Sequence, residues 1–484
     1  MQKVTLGYEP KDALGYFEAF SAIPRGSFNE KAVAEYIYQF GLDLGLESYI
    51  DESWNVMIKK PASAGCENAQ PILLQGHTDI VCVKLPESDH QFETDPLPLY
   101  VENGMLKSKG TTLGADDGVA VAYMMALLSR NDIVHPALEC AFTSMEEVGL
   151  FGAIAMPKEW VSAKRMINMD AGSISSGKTI VSCAGGYELK FTTTPIWQKA
   201  SGKAIHLAIS GLKGGHSAGA IDKGRGNAAK LMARILNKVE EVTPVNVATF
   251  YGGDKMNAII SACETTICVE DDTAALAVIE KVSAEIKEEL KVTDEGYTCH
   301  FKTTSSPEKM LEHTQSKRFV QMALVMPSQV RDMSFEIEGH ILCSTNLGAV
   351  QVNEDEILFW SLTRSGEDTR MVALVDEVKA IADVFGYKVE TGATFFGWKY
   401  NAKSALRDIH INLVKEVFDV DLRVEAAHGG LECGIFYGKD NELDIIALSA
   451  DSSGAHTPEE TLNLASFNDT FEYLLKLLEV LTTK

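Results

Sequence analysis

Residues 71–79 read Pro-Ile-Leu-Leu-Gln-Gly-His-Thr-Asp, an apolar run that ends in glycine, histidine and aspartate. Two further short apolar runs, Ala137–Phe142 and Arg165–Met169, follow it along the chain. Between the first two lies Gly118–Ser129, whose apolar residues recur at helical spacing. Strands that alternate with helices predict an α/β layer with a mostly parallel central sheet.

The pattern outside this stretch divides the chain. Asp12–Leu46 has helical periodicity throughout. Beyond Cys183, alternating runs and amphipathic helices predict a separate α+β domain, with its clearest segments at Glu188–Thr193, Ala204–Ser210, Asn227–Glu241, Ala274–Lys291, Val330–Ile337, Asp355–Leu362 and Arg370–Phe385. After about Thr394 the α/β character returns, with a strand at Asp444–Leu448 and a closing helix at Phe467–Leu481 that Ser466 and Asp469 could cap. We therefore predict one domain from residues 1–184 and 395–484, with residues 185–394 inserted.

Composition bears on the binding partners and on the cellular compartment. The 484 residues carry a formal net charge of -24, which repels nucleic acid and anionic lipid surfaces. Met1–Ala19 has no basic start followed by an apolar run, and the longest apolar stretch, near Val119–Leu128, is half of the roughly 20 residues that a bilayer span needs. Nine cysteines are scattered singly, which favours free thiols in a reducing compartment. We predict a cytoplasmic protein.

Histidine or carboxylate residues follow each candidate strand. His77 and Asp79 end the first run, Glu146-Glu147 follow the second and Asp170 the third. Asp116-Asp117 precede the Gly118 helix, and His456 follows the closing strand. Ligands of such sheets bind outside the carboxyl ends of the strands, so these groups are expected at one edge.

Each of these motifs alone has an ordinary explanation. His-x-Asp can be a surface pair, Glu-Glu a solvated turn, and Asp-Asp-Gly a turn or the start of a helix. Together, several ionised carboxylates would repel each other strongly unless a cation lay among them. Two divalent ions that share one carboxylate meet this need, and mixed histidine and carboxylate ligands suit zinc, cobalt or manganese.

At these residues the sequence resembles the M20 metallopeptidases, and most closely their aminoacyl-histidine dipeptidase branch. The resemblance covers nearly the whole chain, and its motifs are Gly76-His77-Thr78-Asp79, Leu113–Gly118, Glu146–Gly149, Asn168–Asp170, Gly211–Ser217, Asn257–Ile259, Gly397–Lys399, His428–Gly434 and His456–Pro458. It implies a zinc-peptidase-type catalytic domain with an inserted lid or dimerisation domain.

The resemblance also implies a role for each residue of the cluster. His77 and Asp170 would bind one metal ion, Glu147 and His456 the other, and Asp116 would bridge the two, with a cis peptide to Asp117. Asp79 would orient the His77 ring. Glu146 would act as the general base on a water that bridges the metals.

Four further residues, three of them in the inserted segment 185–394 and Gly430 beyond it, gain roles in the same way. His216 matches a histidine that stabilises the oxyanion, often across a dimer interface, which implies a homodimer. Asn257, Arg364 and Gly430 match substrate-binding positions, and Arg364 could hold the free carboxylate of a short peptide. The alternative readings are that the glycine-rich segment at His216 is a simple tight turn and that Arg364 is a surface arginine.

Two positions depart from the branch. Ala171-Gly172 follow Asp170 where relatives often carry acidic residues, and Asp117 stands where relatives often have asparagine. Neither change removes a ligand. The function expected is hydrolysis of unblocked dipeptides, Xaa-His among them, with two divalent ions, most simply zinc. The alternatives are an N-acyl-amino-acid deacylase or carboxypeptidase of the same superfamily, or a silent scaffold that kept the fold.

Overall fold

The computed structural model describes residues 3–483. Its α-helices are α1 Lys11–Ser21, α2 Lys31–Asp43, α3 Ala115–Ser129, α4 Phe151–Ala155, α5 Ser217–Ala220, α6 Ala228–Glu240, α7 Asp272–Glu289, α8 His313–Val325, α9 Asp368–Phe385, α10 Ala405–Phe418, α11 Glu432–Lys439 and α12 Leu464–Leu481.

The strands alternate with these helices in the first part of the chain and dominate its middle. They are β1 Glu47–Ile50, β2 Val56–Lys60, β3 Ile72–His77, β4 Leu99–Glu102, β5 Met105–Ser108, β6 Leu138–Thr143, β7 Arg165–Asn168, β8 Lys178–Cys183, β9 Gly185–Thr193, β10 Trp197–Lys199, β11 Lys203–Ser210, β12 Gly215–His216, β13 Asn246–Gly252, β14 Ala258–Ile259, β15 Cys263–Val269, β16 Thr298–Thr304, β17 Lys309–Leu311, β18 Gln329–Met333, β19 Ile341–Val352, β20 Ile357–Ser365, β21 Lys388–Phe395, β22 Arg423–Ala427, β23 Asp444–Ala447, β24 Ser452–Ser453 and β25 Thr461–Asn463.

The chain forms two compact units. The first unit comprises the chain up to Cys183, Trp398–Ala426 and the stretch from Leu431 onward. The second unit comprises Ala184–Gly397 and Ala427–Gly430.

The larger sheet of the first unit has the strand order β1-β2-β6-β3-β7-β23-β8-β22, and a smaller one has the order β24-β25-β5-β4. The central strands β6, β3, β7 and β23 run parallel, and antiparallel strands extend the sheet beyond them. Strand β3 is buried at every position, in keeping with its unbroken apolar run. Helix α3 is buried along almost its whole length beside it. The predicted α/β class with a mostly parallel central sheet is confirmed.

The second unit is an antiparallel sheet with helices packed on it. Its strand order is β16-β11-β15-β13-β19-β20-β9-β21, with β18 beside β19. Apolar residues of α6, α7, α8 and α9 form its core together with the inner face of the sheet. Helix α6 shows why: Met232, Leu236 and Val239 recur at helical spacing, and each is completely buried.

The helical pattern of Asp12–Leu46 corresponds to two helices, α1 and α2, because Pro24 and Gly26 interrupt the segment between them. The predicted cap of the closing helix was wrong. Helix α12 is capped by Asn463, whose side chain accepts the N–H groups of Ala465 and Ser466. The Ser466 hydroxyl instead accepts the N–H group of Asp451.

Among the described residues, which include all nine cysteines, no disulfide bond forms, as the scattered spacing predicted. In the described part of the chain, no helix has the length and apolar character needed to cross a bilayer.

Candidate active site

The parallel strands of the first unit deliver polar residues to one edge of the sheet. Strand β3 ends at His77, and Glu146 and Glu147 follow strand β6 within four residues. Asp170 comes two residues after β7, in register with the other two strands. The sheet therefore brings these side chains to one edge, as the positions of the apolar runs predicted.

Asp116 lies between two groups of potential ligands. Its Oδ1 lies 2.9 Å from His77 Nε2, which in turn is 3.9 Å from Asp170 Oδ1. Its Oδ2 lies 3.3 Å from His456 Nε2, which is 3.0 Å from Glu147 Oε1. The two oxygens of one carboxylate thus face two different histidine and carboxylate pairs.

The donor atoms of these groups fit a pair of divalent metal ions. Ligand atoms held at about 2.0–2.2 Å around a tetrahedral zinc ion lie about 3.4 Å from one another, close to the separations around Asp116. Glu147 Oε1 is buried without a hydrogen bond, although His456 Nε2 is near it. In residues 3–483, the sets with metal-binding geometry are His77-Asp116-Asp170, Asp116-Glu147-His456 and His77-Glu146-Glu147.

The electrostatics of the cluster also favour a cation. Burial, together with the charge of Asp116, raises the pKa of Asp170 well above its ordinary value. Burial raises the pKa of Glu146 in the same way, and the charges of Glu432 and Glu147 add to it. Burial opposes the charge of His77, yet Asp116 and Asp79 hold the pKa of its imidazole well above the usual range. The carboxylates therefore repel one another and draw positive charge to this place.

Asp79 supports the cluster in a broader way than the sequence predicted. The His77 Nδ1 atom lies 3.0 Å from the backbone oxygen of Asp79 and 3.4 Å from its carboxylate. The same carboxylate accepts the N–H groups of Glu146 at 3.0 Å and Glu147 at 3.2 Å, and the Ser27 hydroxyl at 2.8 Å. Asp79 thus contacts both the histidine ring and the turn that carries the two glutamates.

The remaining predicted site residues lie in the second unit. His216 is on β12, which pairs with β14 immediately after Asn257, and the Asn257 carbonyl accepts the Ser217 N–H at 2.7 Å. Gly430 has no room for a side chain, because a Cβ atom there would lie 2.7 Å from the Phe395 ring. The cis peptide between Asp116 and Asp117, which the resemblance implied, is present in the first unit.

Arg364 carries a buried guanidinium. It is 5% exposed on strand β20, and within the described residues its side chain makes no hydrogen bond or ion pair. Burial lowers its pKa to about 10. The alternative of a surface arginine is therefore wrong. A buried guanidinium charge is costly unless an anion pairs with it, so Arg364 is suited to bind one.

Several residues around this cluster of candidate metal ligands were not predicted. Glu30 accepts the Met145 N–H at 2.9 Å, just before the paired glutamates. Glu432 is buried and accepts hydrogen bonds from Gln75 and from Thr143. The position of Gln75, two residues before His77, places it near the cluster. The sequence pattern does not pair it with Glu432, which lies 357 positions further along the chain.

Comparison with known proteins identifies the family. Residues 73–480 match the sequence pattern of peptidase family M20/M25/M40, and the chain belongs to this family. The cytosol non-specific dipeptidase of Escherichia coli (strain K12) is 30% identical over 481 residues, 98% of each chain. The predicted resemblance to M20 enzymes is confirmed, and the protein is a peptidase.

Solved structures agree with this assignment. Aminoacylhistidine dipeptidase from Vibrio alginolyticus has a TM-score of 0.89 and 28% identity, with 99% of this chain and 98% of that chain covered. Aminopeptidase PepT from Bacillus cereus shares the fold, with a TM-score of 0.57 and 16% identity over 99% of this chain and 100% of that one. The likeness to the first structure supports the aminoacyl-histidine dipeptidase branch.

Proposed function

We propose that this peptidase hydrolyses unblocked dipeptides, Xaa-His peptides among them, with two divalent metal ions bound around Asp116. The observation that carries the proposal is that the two Asp116 oxygens face separate groups, His77 with Asp170 and His456 with Glu147. The names of the relatives, a non-specific dipeptidase and an aminoacylhistidine dipeptidase, support the substrate class.

His77 and Asp170 would hold one ion, Glu147 and His456 the other, and Asp116 both. Zinc suits these ligands, and cobalt or manganese would also fit them. When bound, such ions polarise a peptide carbonyl and lower the pKa of water.

Glu146 is the residue that we assign as general base. The Glu147 carboxylate lies 3.0 Å from His456 Nε2, whereas the Glu146 carboxylate lies 4.0 Å from His77 Nε2. The Glu146 carboxylate is therefore free to take a proton from the attacking water and deliver it to the leaving amine. Asp79 fixes the backbone of Glu146 and so its place beside the cluster.

Arg364, Asn257, Gly430 and His216 are assigned to the substrate. A buried guanidinium with no anionic partner among residues 3–483 suits the free carboxylate of a dipeptide. Both oxygens of that carboxylate can accept hydrogen bonds from the guanidinium. His216 would donate to the oxyanion. The resemblance further implies that the second unit acts as a lid and forms a homodimer, which sedimentation equilibrium can test, and that the enzyme is cytoplasmic.

Replacing Glu146 tests the mechanism most directly. We expect Glu146→Gln to lower kcat at least 100-fold, since general bases contribute about 10²- to 10⁴-fold, while metal content stays at that of the wild type. Glu459→Gln, on an exposed neighbour of the His456 loop, is the control and should retain activity. A Glu146→Gln enzyme with wild-type turnover would refute the assignment.

A substrate panel tests the class. Rates on free dipeptides, with and without C-terminal histidine, are compared with rates on N-acetyl amino acids. We expect cleavage of the free dipeptides. Activity confined to blocked amines would instead identify an N-acyl-amino-acid deacylase, and a protein without metal or activity would be a silent scaffold.

A further inference from the structure

Glu460 is a buried carboxylate that accepts four backbone N–H groups from one loop. Its Oε2 accepts Leu113 N–H at 2.8 Å and Gly114 N–H at 2.9 Å. Its Oε1 accepts Ala115 N–H at 2.8 Å and Asp116 N–H at 3.3 Å. All four donors belong to the segment that ends in Asp116.

Two of these donors belong to the start of a helix. The first N–H groups of an α-helix lack intrahelical acceptors, and α3 begins at Ala115, with Leu113 and Gly114 immediately before it. A carboxylate offers about four lone-pair sites, so Glu460 can satisfy all four donors at once. Because the acceptor is charged, these bonds are stronger than those of a neutral side chain.

The opposite side of the same loop is held by Arg25. Its Nη2 donates to the Gly114 carbonyl at 2.8 Å, and its Nη1 to the Thr78 carbonyl at 2.9 Å. Gly114 has a φ of 70°, and a Cβ atom there would lie 2.6 Å from Arg25 Nη2. The loop is therefore enclosed by a guanidinium on one side and the Glu460 carboxylate on the other.

Glu460 also belongs to the segment that carries His456. The backbone between them is folded by two turns, Thr457 N–H to Gly454 O and Glu460 N–H to Thr457 O, both at 3.1 Å. One side chain thus connects the backbone of Asp116 to the loop of His456. The two side chains at the ends of this connection are close, with 3.3 Å between Asp116 Oδ2 and His456 Nε2.

We propose that Glu460 is a positioning residue that holds Asp116 so that its two oxygens address both metal sites. This inference rests on the proposed function for its metal-binding part. Glu460 contacts neither substrate nor metal in this role. It acts through the backbone of Asp116 and through the spacing of Asp116 to His456.

Glu460→Gln tests the inference, with Glu459→Gln as the matched control. Glutamine keeps the size of the side chain, but one carboxylate oxygen becomes an NH₂ group. That group cannot accept hydrogen bonds from the two N–H donors that it would face. Residues that orient metal ligands typically change metal affinity by about 10- to 100-fold. We expect zinc affinity, measured by competition with a chromophoric chelator, to fall in this range for Glu460→Gln and within twofold of wild type for Glu459→Gln.

Amide hydrogen exchange in metal-free protein provides a readout that is independent of catalysis. In the wild type, the amides of Leu113–Asp116 should exchange slowly, and in Glu460→Gln they should exchange at least tenfold faster. Circular dichroism checks that the variant is folded. Should it not fold, the wild-type exchange rates still decide, because unprotected amides in this segment would overturn the inference.

The remaining outcomes are equally distinct. Wild-type zinc affinity together with unchanged exchange in Glu460→Gln would overturn the positioning role while leaving the proposed function intact. A wild-type protein that binds no divalent metal, yet protects these amides, would overturn the proposed function and the metal-positioning part of the inference with it.

Discussion

At the scale of single residues, the surroundings determine what identical side chains can do. Glu146 and Glu147 are neighbours in the chain, yet Glu147 faces His456 at 3.0 Å while Glu146 keeps a 4.0 Å distance from His77. Glu459 is exposed, whereas Glu460 next to it is buried and saturated with four N–H groups. The chemistry proposed for the site depends on these differences.

Arg364 leads to a prediction about substrate binding. Arg364→Met removes the charge but keeps an unbranched apolar stem. Hydrogen bonds to charged groups contribute about 1.5–3 kcal/mol, so we expect kcat/KM for free dipeptides to fall roughly 10- to 150-fold. Dipeptide amides, which lack the carboxylate, should lose little. Equal losses for both substrate types, in steady-state kinetics, would contradict the carboxylate assignment.

At the scale of secondary structure, the candidate metal ligands follow the ends of strands, and the residues that support them lie near helix ends. The parallel strands β6, β3 and β7 place the residues that follow them at one edge, which the apolar runs of the sequence already indicated. Helix starts were harder to locate, because the side chain that caps a helix is recognised only when its backbone partners are known. Helix α12 illustrates this, since it begins before the predicted position.

The cap of α12 can be tested by substitution. Asn463 accepts the N–H groups of Ala465 and Ser466, and loss of such a cap typically lowers the free energy of unfolding by about 1 kcal/mol. We expect Asn463→Ala to show this loss in urea unfolding. Asp469→Ala, at the exposed position first assigned to the cap, should stay within about 0.5 kcal/mol of wild type. The reverse order of the two effects would restore the original assignment.

A buried histidine joins helices α10 and α12. His410 Nδ1 lies 2.6 Å from the Tyr473 hydroxyl, and burial lowers the pKa of His410 to about 4. In the unfolded chain its pKa is about 6.5, so between pH 6.5 and 4 the unfolded state binds more protons. The free energy of unfolding therefore falls as pH falls through this window, by about 2–3 kcal/mol for this group at pH 4.5.

His410→Asn removes that titration. We expect the variant to lose about 2–3 kcal/mol less stability than wild type between pH 7 and 4.5, as measured by denaturant unfolding at each pH. His300→Asn, on an exposed residue of β16, serves as the control and should follow the wild-type curve. Parallel curves for His410→Asn and wild type would contradict the buried neutral histidine.

At the scale of the whole molecule, both ends of the chain contribute to the first unit. His77, Asp116, Glu147 and Asp170 precede the second unit in sequence, while His456 follows it. Metal binding would therefore link segments that are far apart in the chain. A ligand that binds only the folded state stabilises it by mass action.

Zinc should accordingly raise the thermal stability of the protein. At a free zinc concentration 100 times Kd, binding adds about 2.7 kcal/mol, which corresponds to a rise in Tm of roughly 5–10 °C for a unit of this size. A chelator should reverse the rise and abolish activity. Asp116→Asn, which weakens both sites together, should show a much smaller rise in calorimetry, and a shift as large as that of wild type would argue against Asp116 as the shared ligand.

The sequence by itself predicted the fold class, and it named the histidine and carboxylate residues that the structure brings together around Asp116. Short apolar runs specify parallel strands, and parallel strands carry the residues that follow them to one edge, so His77, Glu147 and Asp170 could be grouped from their positions alone. Tertiary structure alone decided how Asp116 divides its oxygens between two histidines, and which glutamate, Glu459 or Glu460, supports it. The physical reason is that local patterns encode burial and backbone conformation, whereas a hydrogen bond between residues 344 positions apart exists only after the chain has packed.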